Sequence, residues 1–349
     1  MNKVGCSFLE EGINFDLNKV CDCCISHNDN RGLPILLNSY NGEMIDWEQL
    51  FNKKAERISC QKEKTIYDCE GCYHLNEDYA YTNERKISEF HFSHCRLCNA
   101  KCIYCSDEYS GLNRNYNTYP VIKDLIEKGY YKAGGEATFQ GGEPTLMHNF
   151  DELVQLFTEH GTVVRIHTSG IRYSETVEEA LRQEKGSVVI SIDSGCKTTY
   201  QKIKQVDKFD KVCETIQKYA NANNNNVIIK YIIVPGVNDN LNEIDKFFKL
   251  MKSFGIKTVA LDLEVQYARK HDNKNVSQHI YLLVDYFEKM AKTFDIKLLT
   301  YSFISYVLKN RKIKPSILVK NKLLYGLYIN IYNDKQKNII YRRWYVKSC

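Results

Sequence analysis

Cys98-Asn99-Ala100-Lys101-Cys102-Ile103-Tyr104-Cys105 is the stretch on which the reading of this chain turns. Its three thiols follow closely on Ile87–Phe92, a run with the length and apolar character of a β-strand. The C-x3-C-x2-C spacing puts three thiolates on one compact loop. Such a loop can hold three corners of a 4Fe-4S cube, leaving the fourth iron without a protein ligand and open to a small molecule. A zinc loop completed by Cys95 or His94, or a set of buried free thiols, satisfies the same spacing.

Outward from this loop the chain alternates between strand and helix. Strands are predicted at Ile87–Phe92, Ala137–Gln140, Val163–Thr168, Val188–Ile192, Val227–Val234 and Thr258–Val265. Helices with 3.6-residue apolar periodicity are predicted at Val121–Lys128, Phe150–His160, Val177–Gln183, Phe209–Tyr219, Leu241–Phe254 and His279–Phe294. Thr176 and Glu179 have the spacing of a capping box for the third helix. Six βα units of about 30 residues each imply an α/β fold with a parallel sheet covered by helices. Periodicity alone leaves a doubly wound sheet and a barrel equally open.

The second predicted strand runs into Gly141-Gly142-Glu143-Pro144-Thr145. Paired glycines at the carboxyl end of a strand expose backbone amides and carbonyls, and parallel α/β folds bind ligands at that edge. With the cysteine loop one βα unit earlier, the sequence resembles the radical S-adenosylmethionine (radical SAM) enzymes. Cys98, Cys102 and Cys105 match that superfamily's cluster motif, including the aromatic Tyr104 before the last cysteine, and Gly141, Gly142, Glu143 and Pro144 match its glycine motif. Ser191 and Asp193, in Ser191-Ile192-Asp193-Ser194-Gly195, resemble the segment that touches the ribose and carboxylate of SAM. Thr168 and Ser169, in His167-Thr168-Ser169-Gly170, stand where the family places further polar contacts, and Val234–Asp239 resembles its adenine-side turn.

The resemblance implies a partial (β/α)6 barrel over residues 85–300, with a 4Fe-4S cluster and SAM as cofactors. It implies reductive cleavage of SAM to a 5′-deoxyadenosyl radical that abstracts hydrogen from a substrate, and a reductant such as flavodoxin or ferredoxin. Lys230 is a charge within an apolar strand and is expected to meet the SAM carboxylate or a substrate anion. Asp262 and Glu264 end the sixth predicted strand, where they bind substrate or face solvent. His91 and His94 read as hydrogen-bonded groups at the barrel mouth.

Residues 1–84 form a Cys-rich segment. A hairpin is predicted around Asn41-Gly42, joining Ile35–Leu37 to Met44-Ile45, followed by a helix from Trp47 to Ile58 capped by Asp46. The segment has little apolar material for a core, so a metal staple is expected, drawn from Cys21, Cys24, Cys69 and Cys72. The resemblance of this segment to SPASM or twitch domains implies a second 4Fe-4S cluster, with zinc as the alternative; in the family such domains follow the barrel, whereas here the segment precedes it. Residues 301–349 read as a C-terminal extension with a β-hairpin of Leu327–Tyr332 and Ile339–Val346.

Composition agrees with an enzyme-sized globular chain. The 349 residues are 43% hydrophobic and 26% charged, with a net charge of +5, too small and too evenly spread to call for nucleic acid or a polybasic membrane anchor. Glu10 and Glu11 interrupt any secretory signal, and the apolar run Val227–Val237 is broken by Lys230 and Pro235, so a cytoplasmic protein without membrane spans is expected. Eleven of the 14 cysteines lie at or before Cys105. That bunching suits metal ligation in a reducing compartment; Cys196 and Cys213 read as small buried hydrophobes. The substrate is read as a peptide or protein side chain, or else a sugar or small metabolite; a zinc-binding interaction module is the competing class.

Overall fold

The computed structural model describes residues 5–23, 35–63, 75–76, 79–105, 115–271, 277–300 and 304. Ten strands occur among them: β1 (Gly12–Asp16), β2 (Lys19–Cys21), β3 (Ile35–Leu37), β4 (Ile87–Phe92), β5 (Tyr131–Phe139), β6 (Val163–Thr168), β7 (Gly186–Ser191), β8 (Val227–Ile233), β9 (Thr258–Leu263) and β10 (Lys297–Thr300). The helices are α1 (Ser7–Glu11), α2 (Trp47–Lys62), α3 (Tyr119–Glu127), α4 (Phe150–Glu159), α5 (Glu175–Arg182), α6 (Lys197–Lys204), α7 (Phe209–Asn223), α8 (Leu241–Ser253), α9 (Val265–His271) and α10 (Gln278–Thr293).

The strands form one sheet in the order β10-β9-β8-β7-β6-β5-β4-β1-β2-β3. From β4 to β10 each strand pairs in parallel with the next in sequence. A doubly wound sheet would reverse its order at a switch point. From β4 to β10 the order runs one way, and beyond β4 only the antiparallel meander β1-β2-β3 is added, so the winding is that of a partial barrel with β10 and β3 as its edge strands. The six predicted βα units are all present, and β10, too short and too exposed to register in the periodicity, extends them.

Along β8, Val227, Ile229, Tyr231 and Ile233 are buried while Ile228, Lys230 and Ile232 are half-buried. The buried set faces the helices: the Tyr231 ring lies 4.9 Å from Phe247 of α8 and 5.4 Å from Phe287 of α10. Lys230 therefore lies on the opposite, concave face. At the other end of the sheet Phe15, Phe92 and Phe139 are in register across β1, β4 and β5 and stack at 5.4 and 4.8 Å. Phe157 of α4 closes over Phe92 and Phe139.

Three expectations need correction. First, the N-terminal segment is not poor in core: Ile13, Phe15, Val20, Leu36, Trp47, Leu50 and Phe51 are buried in the same apolar cluster as the barrel. Parallel pairing of β1 with β4 makes the segment part of the main sheet. Second, no strand forms at Met44-Ile45; Gly42 turns with φ +95°, but β3 pairs with β2. Third, α5 is capped by Ser174, whose side chain accepts from Val177 N, so Thr176 already lies inside the helix. Asp46 does cap α2 through Gln49 N, as expected, though the helix runs to Lys62. The predicted C-terminal hairpin lies outside the described residues.

Candidate functional site

The carboxyl end of β5 and the segment after β4 are pinned together by backbone hydrogen bonds. Gln140 N donates to Phe92 O at 2.8 Å, Gly142 N to Cys95 O at 2.8 Å and Glu143 N to Leu97 O at 2.7 Å. The approach is too close for a side chain. A Cβ on Gly142 would come within 2.4 Å of Leu97 O, and Gly141 sits at φ +106° with Ser93 O 2.9 Å from where its Cβ would be. The paired glycines thus let the glycine turn lie directly against the stretch that leads into Cys98.

Glu143 is buried, and every contact of its carboxylate fastens this edge. Oε1 accepts from Thr145 Oγ1 and Thr168 Oγ1, both at 2.7 Å, and Oε2 accepts from Ser169 N at 2.7 Å. Ser169 Oγ in turn lies 2.9 Å from Asn99 Oδ1 in the cysteine loop. Pro144 starts a single 3-10 turn, Pro144–Leu146. Glu143, Thr168, Ser169 and the cysteine loop therefore form one connected unit across β4, β5 and β6.

On the other side the loop pairs with α6: Lys101 N donates to Lys204 O and Ile103 N to Ile203 O, both at 2.9 Å. Tyr104 donates from its hydroxyl to Asp193 Oδ2 at 2.6 Å, and Lys204 Nζ donates to the same oxygen at 2.6 Å and to the Tyr104 hydroxyl at 2.8 Å. Asp193, at φ +57°, also accepts Ile232 N at Oδ1 and gives its carbonyl to Asn238 Nδ2. Asn238 is buried and accepts from Val234 N, so it locks the Val234–Asp239 turn. Ser191, half-buried at the end of β7, is in register with Lys230.

Within the loop, Cys98 and Cys105 are exposed and Cys102 is half-buried. Burial, helped by the nearby Glu143, Cys102 and Cys105, pushes the Cys98 thiol up to about 11 against the pull of Ala100 N, 3.5 Å from its Sγ. Among the described residues no group of three His, Cys, Asp or Glu side chains is placed to hold a single metal ion. Three thiols on one turn, two of them exposed, suit a multi-iron cluster, whose corners are separate irons.

The concave face is polar. Arg165 forks onto Glu136 at 3.1 and 2.7 Å, and Lys230 pairs with Asp262 at 2.9 Å. Lys230 thus has an anion within the protein itself. Between these pairs His167 is driven to a pKa of about 3, first by burial and then by the charges of Lys230 and Arg165. Glu264 turns back to cap α9 through Gln266 N and Tyr267 N. His94 is buried, bonds Tyr116 O at 3.1 Å and is likewise lowered to about 3 by burial, while His91 is buried against Phe8. Cys196 and Cys213 are half-buried.

Of the N-terminal ligand candidates only Cys21 is described; Cys24, Cys69 and Cys72 lie outside the described residues. Cys21 is fully buried on β2, opposite Asn14 of β1, and its thiol is pushed up to about 12, chiefly by burial. Sequence reading missed Lys204, which stands in no motif and reaches the site only through the folding of α6 against the cysteine loop. It marked the Val234–Asp239 turn but not that Asn238 ties that turn to Asp193.

A parallel barrel carrying an open three-cysteine loop against a glycine turn defines a class of SAM-dependent iron–sulfur enzymes. Residues 92–264 match the family described as "Radical SAM superfamily", and the chain belongs to it. Among similar proteins, GTP 3′,8-cyclase of Clostridium botulinum is 27% identical over 188 residues, covering 51% of this chain and 57% of the relative. Mycofactocin maturase MftC of Mycolicibacterium smegmatis is 24% identical over 159 residues, covering 45% and 40% respectively. The crystal structure of SuiB from Streptococcus suis bound to precursor peptide SuiA superposes with a TM-score of 0.51 at 14% identity, covering 82% of this chain and 61% of that one. That last likeness concerns the fold. The chain spans about half the length of the curated relatives it matches. No helix among the described residues is long and apolar enough to cross a membrane.

Proposed function

We propose that this protein is a radical SAM enzyme that holds a 4Fe-4S cluster on Cys98, Cys102 and Cys105 and binds SAM between that loop and the carboxyl ends of β5 to β8. The observation that carries the reading is the backbone pairing of Gly142 and Glu143 with Cys95 and Leu97, which fixes the glycine turn beside the three thiols. Cluster and SAM, when bound, would supply reductive carbon–sulfur cleavage and a 5′-deoxyadenosyl radical for hydrogen abstraction.

The chain's own residues bind and orient. Backbone groups of Gly141, Gly142 and Pro144 would meet the cofactor, with Ser191 as a neighbouring hydroxyl. Glu143, Thr168, Ser169, Asp193 and Tyr104 act mainly by holding that edge rigid, because their polar atoms are already engaged with one another or with the backbone. Lys230 and Asp262 line the concave face, where an entering anion would compete for the lysine.

A peptide or protein side chain is the favoured substrate, supported by the peptide-maturation names of MftC and of SuiB with its precursor peptide. A small polar metabolite is the second reading, supported by the paired charges of the concave face and by the nucleotide-acting relative. A reductant such as flavodoxin or ferredoxin would deliver the electron. Residues 1–84 would carry a second cluster or a zinc ion, with 301–349 as an extension, in a cytoplasmic protein.

The test is anaerobic purification followed by iron and sulfide analysis and incubation with SAM and dithionite. Brown protein that releases 5′-deoxyadenosine supports the reading. Colourless protein containing zinc alone would replace it with an interaction module.

A further inference from the structure

Lys204 is the last residue of α6 and is almost wholly buried, yet it belongs to none of the cysteine, glycine or serine-aspartate motifs. A buried ammonium costs several kcal/mol unless it is paired and its donors are satisfied. Here it meets the buried Asp193 carboxylate at 2.6 Å and the Tyr104 hydroxyl at 2.8 Å, and lies 5.2 Å from the centre of the Tyr104 ring. Its backbone carbonyl accepts Lys101 N from the middle of the cysteine loop. One residue therefore grips the loop through both main chain and side chain. The two residues it holds, Lys101 and Tyr104, lie on either side of Cys102 in the chain.

Resting on the cluster assignment above, we propose that Lys204 is a positioning residue that fixes the cysteine loop and, through its charge, raises the reduction potential of the cluster held there. Adding an electron makes the cluster more negative, and a fixed cation in a poorly solvated surround favours that state more than the oxidised one. Asp193 works in the opposite sense. The pair lets the protein keep a cation behind the cysteine loop without leaving it unpaired, and Tyr104, which both partners hold, lies between Cys102 and Cys105 in the chain.

The experiment is a mediated redox titration, followed by electron paramagnetic resonance, of anaerobic full-length protein without SAM. Lys204→Met should retain iron and shift the midpoint of the barrel cluster to more negative potential. Lys204→Arg should restore it, and Asp193→Asn should shift it to more positive potential. Shifts of opposite sign cannot come from a loosened loop, which would disturb both variants alike. An unchanged midpoint in iron-replete Lys204→Met overturns the proposal. So does a wild-type midpoint with loss only of the spectral response to added SAM, which would make the lysine a SAM ligand. If Lys204→Met does not fold, the near-isosteric Asp193→Asn decides: no positive shift at full iron content overturns the proposal. Absence of iron from the wild-type protein would instead strike the cluster assignment itself.

Discussion

Glu143 accepts the backbone N–H of Ser169 at 2.7 Å, so the carboxylate that ends the glycine turn of β5 also fixes the first residue beyond β6. Hydrogen bonds to a buried charged group are worth about 1.5–3 kcal/mol each, more than neutral ones. Replacing Glu143 with Gln keeps the volume but removes the charge and turns one acceptor oxygen into a donor facing Ser169 N or the Thr hydroxyls. Glu143→Gln is expected to lose about 2–3 kcal/mol of stability and to weaken SAM binding at least tenfold. Chemical denaturation and the SAM-dependent change in the cluster spectrum check the two effects. Wild-type values for both would show that the network is not needed.

Gly142→Ala introduces a methyl group 2.4 Å from Leu97 O, with Arg96 backbone at 3.0 Å on the same side. Backbone cannot swing aside as a long side chain can, so the cysteine loop must move. The expected outcome is loss of most of the barrel cluster's iron. Gly134→Ala is the comparison, since nothing lies within 4 Å of its Cβ position and only the φ of +89° is strained. That variant should keep its iron and lose about 1 kcal/mol of stability. Equal iron in both variants would contradict the steric argument.

Cys102→Ala should abolish 5′-deoxyadenosine release, because two thiolates do not retain a four-iron cube. Cys69→Ala should preserve some release if the N-terminal cysteines form a separate site. Iron analysis beside product quantification distinguishes the cases. Loss of the barrel cluster to the same extent in both variants would show that the two sites are not independent.

His94 and His167 make stability depend on pH. Both are held near pKa 3 in the folded chain, chiefly by burial, against about 6.5 when unfolded. Below pH 6.5 the unfolded chain binds protons that the folded one does not, so stability is fully present above 6.5 and falls as pH drops towards 3. Each histidine contributes a slope approaching about 1.4 kcal/mol per pH unit in that window. Urea midpoints measured from pH 7.5 to 5.5 should fall, and His94→Gln, which can still donate to Tyr116 O, should fall less steeply. An identical slope in the variant would remove His94 from the account.

The parallel strands β4 to β9 were legible because each is a short apolar run followed by a helix with a clear buried face. Of the N-terminal strands only β3 at Ile35–Leu37 was legible, and with Met44-Ile45 rather than β2 as its expected partner. β2 and β3 have three residues each, and the burial of Phe15 depends on Phe92 and Phe139, which are remote in sequence. Helix α6 escaped because Lys197-Thr198-Thr199-Tyr200-Gln201-Lys202-Ile203-Lys204 offers hardly any apolar periodicity. Lys230 was read as meeting the SAM carboxylate or a substrate anion, whereas the anion the fold itself brings to it, Asp262, comes from the neighbouring strand.

The order of residues along the chain alone determined the thiol spacing, the paired glycines and the βα rhythm, because each is a local property of a few consecutive positions. Only the tertiary structure decided which carboxylates hold the cofactor edge together and that Lys204 stands behind the cysteine loop. Those choices are contacts between residues 11 to 100 positions apart, and a buried charge reveals its partner only when the sheet brings the two elements face to face.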